Sequence, residues 1–385
     1  MTTLRLPQSD GTWLQYTTAE PRVWNKPQGP PSSRTAFAAA HVVADRFAEN
    51  VPGAPAAVDW DSTLAFRRHL FSWGLGVAEA MDTAQRGMGL DWAATRELIA
   101  RSSAEAAAAG ARIAAGAGTD HLPAGGDDLK VVLAGYEEQL AFVESVGAQP
   151  ILMASRQLAR VARGTEDYLA VYGRLLEQVS GPVILHWLGT AFDPALKGYW
   201  GASDIPSATA VFLDLVGQYA DRVDGVKVSL LDADHEKGLR AALPAGVRLY
   251  TGDDFHYPEL VKGDGEHHSD ALLGVFAAIA PAAAAALQAL DDGDEAAYDA
   301  AFEPTLPLAR HIFAEPTYYY KTGIAFLAWL NALQPGFTMV GGLQSARSAV
   351  HLAQTFRLAD RAGVLHDPDL AAARLRSLLE VGGLV

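Results

Sequence analysis

The chain has 385 residues, half of them hydrophobic, and its 30 Lys and Arg against 45 Asp and Glu give a formal net charge of −15. A charge of that sign repels nucleic acid and anionic membrane surfaces, so neither is expected as a partner. The absence of cysteine excludes disulfides, thiolate zinc sites and cysteine nucleophiles.

Closed barrels of about 250 residues behave as one domain. The length therefore suits one large barrel with accessory helices. The division expected is residues 1–50 as an N-terminal extension, 51–290 as the barrel and 291–385 as a C-terminal helical region. Met1 to Tyr16 is polar and shows no signal peptide, which points to a cytoplasmic protein. Pro21, Pro27, Pro30 and Pro31 punctuate an irregular stretch, after which Ser32 or Ser33 would cap a helix running through Ala48.

From Val51 onward, short β-prone runs alternate with amphipathic runs of helical length. The strands expected are Ala56–Trp60, Gly76–Met81, Ala111–Ala117, Gln149–Ala154, Pro182–Leu188, Gly225–Leu230, Val247–Thr251 and Ala271–Ala277. Helices fit between them over Ser62–Ser72, Trp92–Ala109, Lys130–Val146, Asp167–Val179, Ser207–Asp221, Ala233–Ala242 and Tyr257–Val261. Eight such alternations define the α/β class and a closed (β/α)8 TIM barrel. An open doubly wound sheet would need a glycine-rich phosphate loop after its first strand, and Trp60-Asp61-Ser62-Thr63 is not one. Between Asp270 and Asp291 there is no charge, but the run is Ala-rich and carries Pro281. It reads as a strand followed by a buried helix from about Pro281, not as a membrane span.

Side chains alternate along a strand. In Gly225-Val226-Lys227-Val228-Ser229-Leu230, the apolar set would face the helices and leave Lys227 and Ser229 pointing inward. A lysine inside a barrel is costly unless paired or neutral, and desolvation frees an amine to attack a carbonyl. A structural ion pair is the alternative. In Val183-Ile184-Leu185-His186-Trp187-Leu188 the same alternation turns His186 inward, as a proton carrier, a metal ligand or a hydrogen-bonded core histidine. Gly116 and Gly118 follow strand three, where small residues allow close approach of a ligand or simply a tight turn. Thr251, Asp253 and Asp254 follow strand seven, as substrate ligands or as helix caps. Asp82 and Thr83 follow strand two. The acidic loop Gly263–Ser269 disfavours a phosphorylated substrate.

Four of these stretches together resemble the dihydrodipicolinate synthase and N-acetylneuraminate lyase superfamily. They are Ala115-Gly116-Ala117-Gly118-Thr119, Gly225-Val226-Lys227, Thr251-Gly252-Asp253-Asp254, and Leu306-Pro307-Leu308 through Glu315-Pro316 with Lys321. The resemblance covers residues 55–335 and suggests a divergent branch of unknown function. It implies Lys227 as a Schiff-base nucleophile acting without a cofactor, His186 in the place of a proton-relaying tyrosine, and a homo-oligomer. The family's carboxylate-gripping arginine has no equivalent near Leu188–Phe192, and Ala80-Met81-Asp82-Thr83-Ala84 stands where paired hydroxyl residues are usual. Thr190–Pro206 is an insertion whose Tyr199 and Trp200 could stack on a sugar face.

The expected activity is a Schiff-base lyase, aldolase or dehydratase acting on a sugar-derived keto compound or keto acid. Lys227 and His186 would be catalytic. Asp82, Thr83, Gly116, Gly118, Ser229, Thr251, Asp253, Asp254 and Tyr199 would bind the small-molecule carbonyl substrate. Two other readings stand beside it. One is a metal-dependent barrel enzyme drawing ligands from His121, His186, Asp232, Asp253, His256, Glu266, His267 and His268; the other is a barrel that only binds a ligand.

Overall fold

The computed structural model describes residues 1–81, 86–123, 125 and 128–384. Ten strands are present among them. The first two, β1 (Thr3–Pro7) and β2 (Trp13–Thr17), form an antiparallel hairpin in which Thr3 faces Thr17 and Pro7 faces Trp13. The others are β3 (Ala36–Ala39), β4 (Gly76–Glu79), β5 (Ile113–Ala117), β6 (Gln149–Leu152), β7 (Val183–Leu188), β8 (Val223–Ser229), β9 (Arg248–Thr251) and β10 (Asp270–Leu273). They pair in parallel in sequence order, and β10 closes on β3 to complete an eight-stranded barrel.

The layer around the barrel consists of α1 (Trp60–Phe71), α2 (Trp92–Ala109), α3 (Leu129–Ser145), α4 (Arg156–Val161), α5 (Thr165–Gln178), α6 (Ile205–Gln218), α7 (Ala233–Ala242), α8 (Tyr257–Lys262) and α9 (Phe276–Asp291). The tail adds α10 (Glu295–Phe302), α11 (Leu306–Ile312), α12 (Tyr320–Leu330), α13 (Ala349–Arg361) and α14 (Pro368–Val381). Aspartates start many of these helices: Asp59, Asp91, Asp128, Asp204 and Asp232 each accept from a backbone N–H of the first turn. The fold is thus the expected TIM barrel with C-terminal helices. Among the described residues no helix is long and apolar enough to cross a membrane.

The barrel begins earlier than the sequence suggests. Ala36–Ala39, expected within a helix, is its first strand, while Ala56–Trp60 is not a strand. Trp60 instead opens α1, behind its cap Asp59. All four residues of β3 are buried, so they carry no alternation to oppose the helix propensity of alanine. Tertiary pairing with β4 and β10 decides the outcome, and the missing side chain of Gly76 makes room for the Phe37 ring. Ser32 and Ser33 do not cap a helix; their N–H groups bind the Asp291 carboxylate at 2.8 and 2.7 Å.

At the other end, β10 stops at Leu273 rather than Ala277, and α9 starts at Phe276 rather than Pro281. Its backbone leaves helical geometry at Ile279, two residues before Pro281, so the proline still sits just after a break that suits its missing N–H.

Two apolar layers result. Val77, Leu152, Leu185, Val226, Val228 and Leu273 face the helices. Phe37, Ala39, Ala78, Met81, Ala114, Ile151, Met153, Ile184, Tyr250 and Leu272 fill the barrel. The N-terminal hairpin lies against the tail, where the Tyr16 hydroxyl donates to Asp360 at 2.7 Å.

Candidate active site

Lys227 lies near the C-terminal end of β8, the end at which barrel enzymes carry their chemistry. Val226 and Val228 pack into the helix-facing layer, so Lys227 and Ser229 turn inward. Lys227 is 4% exposed, and its Nζ donates to the Met81 Sδ at 3.6 Å. In the β7–β8 register His186 is the neighbour of Lys227. Its Nε2 lies 3.2 Å from the Ser229 Oγ, and its Nδ1 has no hydrogen-bond partner among the described residues. Burial first, and the adjacent lysine second, hold this imidazole neutral, its pKa well below the usual histidine range.

Gly252 completes the arrangement. A Cβ there would lie 2.1 Å from the Ser229 Oγ and 2.8 Å from both the Lys227 Cε and the Val228 carbonyl oxygen. Glycine is therefore what lets the chain leave β9 beside these two side chains.

A cavity of about 260 Å³ opens at the C-terminal ends of β4–β7. His186 and Met81, which both adjoin Lys227, belong to its wall, with Met153, Ser155, Arg156 and Asp193 among the rest. Two arginines reach it. Arg86 is fully engaged: Nε meets both Asp120 oxygens at 3.0 Å, Nη1 donates to the Ala80 and Gly116 carbonyls, and Nη2 donates to Gln139. Burial pushes the Asp120 carboxyl up, but the Arg86 guanidinium together with the Gln139 and backbone hydrogen bonds brings it below its usual pKa. Arg156 is half-exposed and held by Asp193 through a 2.5 Å contact from its Nε. Thr119 also lines the cavity, 2.6 Å from the Ser155 Oγ and 2.8 Å from the Gln157 Oε1.

Not every residue expected at the site reaches it. Gly116 and Gly118 do not open space for a ligand: Met153 fills the room their missing side chains leave, with the Ala80 and Met81 backbone also against Gly116. Thr251 points the other way, donating to Glu236 of α7 at 3.0 Å. Asp253 accepts from the Phe255 and His256 N–H groups and from the His256 ring, and Asp254 accepts from the Val275 N–H at the start of α9. Both are held by the protein backbone at the ends of their loops.

Tyr199 is no stacking platform. It is buried with Trp200 in a cluster that includes Tyr168 and Tyr172, and its hydroxyl accepts from the Ser155 N–H at 2.9 Å. The insertion thus braces the wall of the cavity from behind. Asp82 and Thr83 lie outside the described residues.

The suggested metal ligands are dispersed. The loop of Glu266, His267 and His268 precedes β10, at the opposite end of the barrel, and Asp232 caps α7. Among the described residues no three His, Asp or Glu side chains form a group able to hold a metal ion.

Sequence reading passed over Arg86, Asp120, Ser155, Arg156, Gln157 and Asp193 as site residues. Their common signal is position, within a few residues of the C-terminal end of a strand.

Solved structures of dihydrodipicolinate synthases share this closed parallel barrel. A dihydrodipicolinate synthase from Acinetobacter baumannii, complexed with pyruvate, aligns with a TM-score of 0.62 at 16% identity, over 86% of this chain and all of its own. The 4-hydroxy-tetrahydrodipicolinate synthase of Methylacidiphilum fumariolicum SolV gives 0.62 at 13%, over 90% of this chain and 99% of its own. YagE of Escherichia coli K12, a prophage protein of the dihydrodipicolinic acid synthase family, gives 0.61 at 14%, over 91% and 99%. The chain itself belongs to the family described as a protein of unknown function (DUF993), whose model matches residues 4–384. No curated protein matches it in sequence.

Proposed function

We propose that the protein is a Schiff-base lyase, an aldolase or dehydratase acting on a small keto compound. The observation that carries this reading is the placement of Lys227: buried inside the barrel near the C-terminal end of its strand, one strand from a neutral histidine that lines a cavity. The Nζ adds to the substrate carbonyl carbon. The oxygen leaves as water after taking one proton from the amine and one from an acid, and a protonated imine remains. When the adjacent C–C bond of a β-hydroxy substrate then breaks, its electron pair moves into the imine to give an enamine, and the hydroxyl proton passes to a base. His186 fits that base, because it is uncharged and its Ser229 contact fixes the ring. Water loss in place of cleavage uses the same electron sink. Protonation of the enamine and hydrolysis of the imine return the free amine.

The likeness in fold to a synthase complexed with pyruvate supports a keto substrate, while the lack of an arginine near Leu188–Phe192 argues for a different one. Trapping with borohydride tests the reading. Incubation with a panel of keto sugars and keto acids should leave a reduced adduct on Lys227, seen by peptide mass spectrometry. Lys227→Arg, which stays charged and cannot form an imine, should abolish it. Turnover of a keto substrate with no adduct at Lys227 would overturn the proposal.

A further inference from the structure

Within the cavity wall the two arginines differ in one respect. Arg86 uses Nε and both terminal nitrogens on protein acceptors. Arg156 uses only Nε among the described residues, leaving both terminal nitrogens as donors. Its partner Asp193 has a side chain only 8% exposed and also accepts from the Ala195 N–H at 3.1 Å, so the anchor is itself buried and hydrogen-bonded. An arginine tethered at Nε presents its other edge as a two-donor fork, the geometry that matches a carboxylate.

The position of this fork bears on the substrate. Leu152 pairs with Leu185, so Met153 stands beside His186 in the layer of the reacting amine. Arg156 opens α4 three residues later, so at roughly 3.3 Å per residue its Cα lies up to about 10 Å from that of Met153. The hydroxyls of Thr119 and Ser155 and the amide of Gln157 line the same cavity.

We infer that Arg156 grips a substrate carboxylate separated from the reacting carbonyl by several atoms, with polar groups between them. The substrate class is then an oxo acid with a remote carboxylate, such as a chain-length relative of 4-oxopentanoate bearing hydroxyls, rather than a 2-oxo acid. This rests on the Schiff-base reading of Lys227.

Borohydride trapping at graded concentrations of pyruvate, 4-oxopentanoate, 5-oxohexanoate and the neutral 5-hydroxy-2-pentanone tests it, with the Lys227 adduct quantified by mass spectrometry. The remote oxo acids should half-saturate at a concentration at least tenfold lower than the neutral ketone or pyruvate. Arg156→Gln should remove that advantage, so that the oxo acids half-saturate no lower than the neutral ketone; Arg156→Lys should restore part of it. Equal trapping of acids and ketone by the unmodified protein, a preference for pyruvate, or an Arg156→Gln profile matching the unmodified protein each overturns the grip while leaving the imine chemistry standing. If no probe is trapped at Lys227, that chemistry fails, and calorimetric titration with 4-oxopentanoate decides the grip alone. Binding lost in Arg156→Gln supports it; absent or unchanged binding overturns it.

Discussion

Replacing Gly252 with alanine tests the link between the barrel and its proposed chemistry most directly. The new methyl would stand 2.1 Å from the Ser229 Oγ, 2.8 Å from the Lys227 Cε and 2.8 Å from the Val228 carbonyl oxygen. The third contact is backbone on the strand that pairs with β9, where the Gly252 N–H donates to the same oxygen at 2.8 Å. It cannot move far without breaking that bond. The first two are side-chain atoms, so the clash is relieved by pushing the serine and the lysine out of place. Inserting a methyl into a well-packed interior destabilises by about 1–3 kcal/mol. Chemistry should suffer more than stability, because a displacement of about 1 Å at a reacting group can lower a rate on the order of 100-fold. Urea unfolding and the rate of borohydride trapping at Lys227 measure the two effects. Gly252→Ala combined with Ser229→Ala removes the shortest contact and should recover part of the stability. A Gly252→Ala protein with both unfolding midpoint and trapping rate unchanged would refute the account of why glycine follows β9 beside the amine.

Two further outcomes concern buried charge. Arg67 and Glu79 form a bidentate pair at 2.9 and 2.7 Å with both side chains fully buried. Arg67→Met should cost about 3–5 kcal/mol, and adding Glu79→Met should recover much of it, because an uncompensated buried charge costs more than an apolar replacement of both partners. Denaturant midpoints of the single and double variants measure this. Glu236, buried against Ser269 and Thr251, has its pKa raised to about 8, chiefly by desolvation, from an ordinary value of 4.5. The folded state therefore keeps a proton that the unfolded state has already released, and this stabilising contribution declines as pH rises between the two values. At about 1.4 kcal/mol per pH unit the total loss is on the order of 3–5 kcal/mol. Glu236→Gln should flatten the dependence of the urea midpoint between pH 6 and 8.5; an unchanged slope would remove Glu236 as its source.

Much of the architecture was legible without coordinates. Strands such as Val183–Leu188 and Val223–Ser229 are runs of β-prone residues, each followed by a helix with an aspartate cap, and these patterns are local. Alternation along β7 and β8 was enough to turn His186, Lys227 and Ser229 inward, since a strand has no other way to place successive side chains. Where local preference and pairing disagreed, the tertiary structure decided. Ala36–Ala39 is a strand because β4 and β10 flank it, not because alanine favours one.

The site divides along the same line. Thr251, Asp253 and Asp254 look like ligands in the sequence, but a polar residue after a strand can face the cavity or the protein, and only the packing of the fold turned Thr251 toward Glu236, Asp254 toward the Val275 N–H and Asp253 toward Phe255 and His256. Tyr199 likewise became a brace for Ser155 because the insertion folds inward on its own aromatic rings. Arg156 and Asp193, 37 positions apart, meet only through the closure of β6 on β7. Sequence by itself therefore determined the order of elements and the inward face of each strong strand, both consequences of short-range stereochemistry. Which polar groups share a cavity was left to the barrel, because contacts between distant residues exist only once the sheet has closed.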